Sequence, residues 1–90
     1  SQIGYDDLGK EALQQLANHN LDLSGVSTHP NKPTGTVIVK GTSDAPEYVI
    51  VENVAWDEIP FTPALRNLVS TADAICFGTL ARRAPVSRQS

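Results

Sequence analysis

Chemistry needs side chains that carry protons, electrons or metal, at spacings a fold can bring together. Few such groups stand in these ninety residues. Asp57 and Glu58 are adjacent acids and suggest a metal or acid–base site. Adjacent side chains diverge, however, so both read as solvated charges. His19 and His29 are ten residues apart, with no carboxylate at metal-ligand spacing, and read as surface residues. Cys76 is the one cysteine, so it forms no internal disulfide and no zinc site by itself. Its place in an apolar run reads as a buried, inert thiol. There is no G-x-x-x-x-G-K-[ST] loop, no G-x-G-x-x-G fingerprint and no Ser/His/Asp set at a workable spacing. A complete catalytic centre is therefore not expected here. Contact surfaces are: a hairpin in mid-chain, and a strand end at Gly78.

The elements that would position such surfaces follow from side-chain pattern. Val37, Ile38 and Val39 are consecutive β-branched residues, and Tyr48 to Val51 is a second run of the same character. Such side chains lose rotamer freedom in a helix and pack well on a pleated sheet. Lys40 to Glu47 between them is polar and rich in turn formers, which gives a β-hairpin over about 33–53. Upstream, Asp6 or Asp7 can cap a helix whose Leu8, Ala12, Leu13, Leu16 and Ala17 share one face. Gly9 in its first turn allows another backbone to approach. Leu21, Leu23 and Val26 form a connector that can cover a sheet edge. Downstream, Trp56, Ile59 and Phe61 make an apolar loop. Thr62-Pro63 then starts a second helix, with Leu65, Leu68, Val69 and Ala72 as its buried face. Ala74 to Gly78 reads as a buried parallel strand, and ligands bind at the carboxyl end of such strands in open α/β sheets.

Size and charge narrow the classes further. Ninety residues make one domain at most, with a thin core: a domain this small buries only about 60% of its unfolded surface. The net charge of −3 argues against nucleic acid and anionic membranes as partners. No apolar run is long enough to span a bilayer and no signal-peptide pattern appears, so a soluble cytoplasmic protein is expected. Ser1 to Gly4 reads as the tail of a strand, and Pro85 as the first turn of a helix that stops early. Both ends look cut.

Several segments together resemble a known family. Ile3-Gly4-Tyr5-Asp6-Asp7-Leu8-Gly9 is similar to the "IGxDxxG" segment of the ribokinase-like (PfkB-type) carbohydrate kinases. Leu23-Ser24-Gly25-Val26 resembles their "VDxSGV" connector, and Pro33-Thr34-Gly35-Thr36 their "PTGT" strand. Val54-Ala55-Trp56-Asp57 resembles the loop after the second lid strand. Phe77-Gly78-Thr79-Leu80-Ala81-Arg82-Arg83 resembles the bacterial fructokinase-like branch. Each motif is weak alone; five in collinear order across the chain are specific.

The resemblance implies a fold and a role. The fold is α/β: a fragment of a ribokinase-like fold, with two helices on a partial parallel sheet and a protruding antiparallel lid hairpin. The parent would pass the γ-phosphate of ATP, with Mg2+, to a sugar hydroxyl, with fructose the expected sugar. The family's sugar-holding Gly-Gly/Asn segment and its Asp-x-x-Gly-Ala-Gly-Asp motif, which supplies the general base and anion hole, are both missing here. The ninety residues thus read as lid and cleft wall from the N-terminal half, inactive alone, with no cofactor of their own. Thr36, Ile38, Ile50, Glu52 and Asn53 are sugar-facing candidates by strand parity. Ala55 and Trp56 match a loop approaching the sugar, and Gly78 and Thr79 match the cleft floor. Packing is the competing explanation for the apolar ones. Self-association through the lid hairpin is expected, and a small non-enzymatic binding module that self-associates in this way is the alternative.

Overall fold

The computed structural model describes the whole chain, Ser1–Ser90. Strand β1 (Gln2–Gly4) runs parallel to β2 (Ser27–His29), with Gln2 opposite Ser27 and Gly4 opposite His29. Helix α1 (Asp7–Asn18) connects them. Asp6 is its cap: the backbone there is extended, and the carboxylate accepts the Gly9 N–H at 2.8 Å. Gly9 is buried, and a Cβ there would strike the Gly4 carbonyl, so the absent side chain is what lets α1 close on β1.

Asp6 does more than cap. Its carboxylate also accepts the Thr34 N–H at 2.9 Å and the Thr34 hydroxyl at 2.6 Å, while Thr34 Oγ1 accepts the Gly4 N–H at 2.9 Å. The two side chains together thus tie the end of β1, the start of α1 and the segment entering the hairpin. The Thr34 bonds hold the Asp6 carboxyl below its ordinary 3.8.

The hairpin consists of β3 (Val37–Gly41) and β4 (Pro46–Ile50), antiparallel, with Val37 opposite Ile50 and Gly41 opposite Pro46. Its strands reach further toward the tip than the β-branched runs, leaving only Thr42–Ala45 as loop. Ala45 N–H closes that loop on the Thr42 carbonyl and hydroxyl, both at 3.2 Å. All ten strand residues are exposed, and the hairpin packs on no other helix or strand. It accounts for an elongated molecule of 45 × 30 × 28 Å.

The remainder is a 3-10 turn (Ala55–Glu58), helix α2 (Pro63–Thr71), a second 3-10 turn (Leu80–Arg82) and a third helix, α3 (Pro85–Gln89). Thr62 caps α2 through its hydroxyl, which accepts the Leu65 N–H, and Pro63 follows at the first helical position. Only Leu65 and Leu68 of its expected face are half-buried; Val69 and Ala72 are exposed. Ala74–Gly78 is not a strand. A parallel strand exists through its neighbour's hydrogen bonds, and neither β1 nor β2 pairs with a third strand. Ile75 and Phe77 are consequently 60% and 69% exposed, and Cys76 is an exposed thiol, not a buried one.

The buried centre lies between β1 and the first 3-10 turn. Its apolar members are Ile3, Val54 and Ala55, and its polar members are Gln2, Asp57 and Ser87. No buried side-chain polar atom there lacks a hydrogen bond. Gln2 Nε2 donates to the carbonyls of Ala55 at 2.7 Å and Glu58 at 2.8 Å, while its Oε1 accepts the Ser27 hydroxyl at 2.9 Å. Replacing Gln2→Leu keeps the volume and strands these groups. It is expected to cost about 1–3 kcal/mol in chemical denaturation, the usual penalty for buried polar groups left unpaired.

Candidate functional site

The first 3-10 turn is gripped from two sides. Gln2 holds it from β1. From the other side comes the C-terminal segment, where the Ser87 hydroxyl donates to the Trp56 carbonyl at 2.8 Å and accepts the Ile59 N–H at 3.0 Å. Arg83 completes the grip. Its Nε donates to Asp57 Oδ1 at 2.6 Å and its Nη2 to Asp57 Oδ2 at 2.7 Å, a two-pronged contact. The same Nη2 donates to the Val51 carbonyl at 2.8 Å, at the root of the hairpin. The guanidinium stacks 4.0 Å from the Trp56 ring centroid. Gly35, at the other root, lies so close to the indole that a Cβ there would collide with it. Both roots of the hairpin therefore rest on one Trp56–Arg83 stack.

Asp57 is 4% exposed, which corrects the expectation of a solvated charge. Its Oδ2 also accepts the Val54 N–H. The Arg83 hydrogen bonds hold its carboxyl below the ordinary 3.8, against the opposing effect of burial. Glu58 turns the other way, as the divergence of adjacent side chains requires. His29 Nδ1 accepts the Asn31 and Lys32 N–H groups at 3.0 Å each, so its Nε2 carries the proton and donates to Glu58 Oε2 at 2.6 Å. Lys32 Nζ lies 3.5 Å from Oε1. His29 is thus a half-buried member of a polar cluster, not a surface residue. Its hydrogen bond is the main reason the Glu58 carboxyl sits below its ordinary 4.5.

An open cavity of about 230 Å3 lies beside Arg83, lined by Glu52, Asn53, Asp57, Arg83 and Ala84. A more apolar one, of about 340 Å3, is lined by Ser1, Trp56, Ile59, Leu80 and Ala81. Of the residues expected to meet a ligand, Glu52 and Asn53 share the polar cavity and Trp56 borders the apolar one. Asn53 sits in the left-handed region at φ 56, which asparagine tolerates better than most residues. Ala55 is fully buried, so its side chain meets core and no ligand. The hairpin register separates the parity set. Ile38 stands opposite Val49, whereas Ile50 stands opposite Val37, so Ile38 and Ile50 lie on different faces. Counting parity along each strand without the cross-strand register produced that error. Thr36 is exposed just before β3, and Gly78 and Thr79 are exposed and line neither cavity. Asp57, Arg83 and Ser87 were missed as site builders. Twenty-six residues separate Asp57 from Arg83, and no local pattern signals such a pair.

No family model matches the chain. Over its whole length it is 24% identical to an uncharacterized sugar kinase of Pyrococcus horikoshii, PH1459, and spans 29% of that protein. The crystal structure of the same protein superposes with a TM-score of 0.87 at 25% identity, over 99% of this chain and 29% of that one. Its structure in complex with ATP matches equally well. The fold is that of a stretch of a sugar kinase.

Acid is expected to loosen the grip on the 3-10 turn. A carboxyl held low in the folded state stabilises above its ordinary value and loses that contribution as pH falls through the folded one. Asp6, Asp57 and Glu58 all shift in this sense. Denaturation midpoints followed by Trp56, the single tryptophan, should fall as pH drops below about 5. With Asp57→Asn, the fall should be shallower.

Proposed function

We propose that these ninety residues supply the lid and part of the cleft wall of a ribokinase-like sugar kinase, of the fructokinase-like branch. The observation that carries the sugar-kinase part of this reading is the collinear superposition of the whole chain on 29% of a sugar kinase at a TM-score of 0.87; the branch rests on the resemblance of Phe77–Arg83 alone. The exposed hairpin supports it. A lid excludes water, so that the γ-phosphoryl reaches a sugar hydroxyl and is not hydrolysed. The polar cavity at the hairpin root is where a sugar would be met, with Glu52 and Asn53 as direct contacts. Arg83 would hold that wall in place through Asp57 and Trp56. Thr36 and Ile38 would act from one face of the lid, and Gly78 and Thr79 from the cleft floor.

ATP and Mg2+ would serve the complete enzyme, but the polar cavity does not suit ATP. A triphosphate needs uncommitted cations or a cradle of backbone N–H groups. Arg83 has Nε and Nη2 committed to Asp57 and Val51, and Glu52 leaves the cavity net negative, which disfavours a triphosphate. In this reading phosphate transfer is the work of other residues of the enzyme. The ninety-residue chain alone should show no measurable ATP binding by calorimetry; clear binding would defeat the reading. The complete gene product should turn over ATP with fructose. Turnover with a nucleoside alone would defeat the fructokinase assignment.

A specific feature favours the second reading, a self-associating module. One hairpin face presents Val37, Val39, Pro46, Tyr48 and Ile50, all exposed. An apolar, two-stranded surface of this kind invites a partner. Sedimentation should show concentration-dependent dimers of the chain, and Val39→Lys should return it to monomer. A monomer at every concentration would remove this alternative.

A further inference from the structure

The polar cavity holds two carboxylates and one guanidinium, and their roles differ. Both Asp57 oxygens are bound by Arg83, so that pair is neutral as a unit. Glu52 has neither an ion pair nor a side-chain hydrogen bond, so the cavity keeps one net negative charge. The Asp57 hydrogen bonds hold the Arg83 guanidinium in its charged form, and Glu52 adds a smaller attraction. Arg83 spends Nε and Nη2 on Asp57 and Val51, which leaves Nη1 free to donate. A ligand here would meet one free guanidinium nitrogen, Nη1, one amide at Asn53 and one carboxylate without an ion pair.

We propose that Glu52 is a specificity-determining residue that admits neutral polyhydroxyl ligands and turns away sugar acids and phosphorylated sugars. Hydroxyl groups both donate and accept. They can give a proton to Glu52 and receive hydrogen bonds from Arg83 Nη1 and Asn53. A carboxylate or phosphate has only acceptors for Glu52 to face, and its charge is repelled. The one cation cannot offset this, because its charge is shared with Asp57. The inference rests on the sugar-kinase reading for the ligand class, but the charge balance belongs to the cavity itself.

The test compares D-fructose with D-gluconate as probes, binding each to the complete gene product by calorimetry. Wild type should prefer fructose. In Glu52→Gln the preference should shrink about tenfold, the scale of one like-charge contact in a partly solvated site. Glu52→Asp, which keeps the charge, should retain the preference. Raising salt should weaken discrimination in wild type and leave Glu52→Gln unchanged, because charge is screened and hydrogen bonding is not. An unchanged ratio in Glu52→Gln, equal wild-type affinity for the two probes, or binding of neither would each overturn the inference. Fructose-dependent ATP turnover is measured separately. Discrimination without turnover would sink the kinase reading and leave the charge filter standing; turnover with an unaltered ratio would do the reverse.

Discussion

The two-pronged contact between Arg83 and Asp57 is the constraint around which the site is arranged. It joins a turn in mid-chain to the C-terminal segment, and its third hydrogen bond reaches the hairpin root at Val51. A buried carboxylate is costly unless paired and hydrogen-bonded. Asp57 meets both conditions, since Arg83 pairs with it and the Val54 N–H completes its shell. The guanidinium then has a fixed plane, and the Trp56 indole stacks against it. Trp56 in turn sets how close Gly35 comes from the other side. One ion pair thus places both roots of the hairpin and the wall of the cavity.

Hydrophobic burial alone could not do this. Only three apolar side chains other than glycine are buried, and the rest of the centre is polar. Gln2, Ser87, Asp6 and Thr34 act as directional connectors, each making at least two hydrogen bonds and tying segments distant in the chain. Such a centre specifies geometry well, because hydrogen bonds tolerate little misalignment. It drives folding weakly, because the net gain per hydrogen bond is small. Much apolar surface remains outside it, on both hairpin faces and along Ile75–Phe77. In the proposed reading, those surfaces would face other parts of a sugar kinase, and the chain spans 29% of the one it superposes on.

Local signals were legible wherever a residue acts on its own neighbourhood. Asp6 and Thr62 cap helices because a short acceptor side chain reaches N–H groups three residues on. The β-branched runs pair as a hairpin because no other conformation suits them as well. Gly9 permits a close approach because it has no Cβ. The same logic misread Ala74–Gly78, whose composition describes a strand but whose backbone finds no edge to join. It misread Asp57 too, since nothing beside it in the chain reveals the guanidinium that lets it be buried.

The amino-acid order by itself determined the helix starts, the hairpin and the collinear motifs that resemble sugar kinases, because these depend on interactions within a few residues or on pattern. Tertiary structure alone decided which hairpin residues share a face, that Ala55 is sealed in the core, and that Glu52 is left without an ion pair while Asp57 has one. The reason is physical: strand register and ion pairing are set by residues far apart in the chain. Their geometry exists only once the backbone has closed.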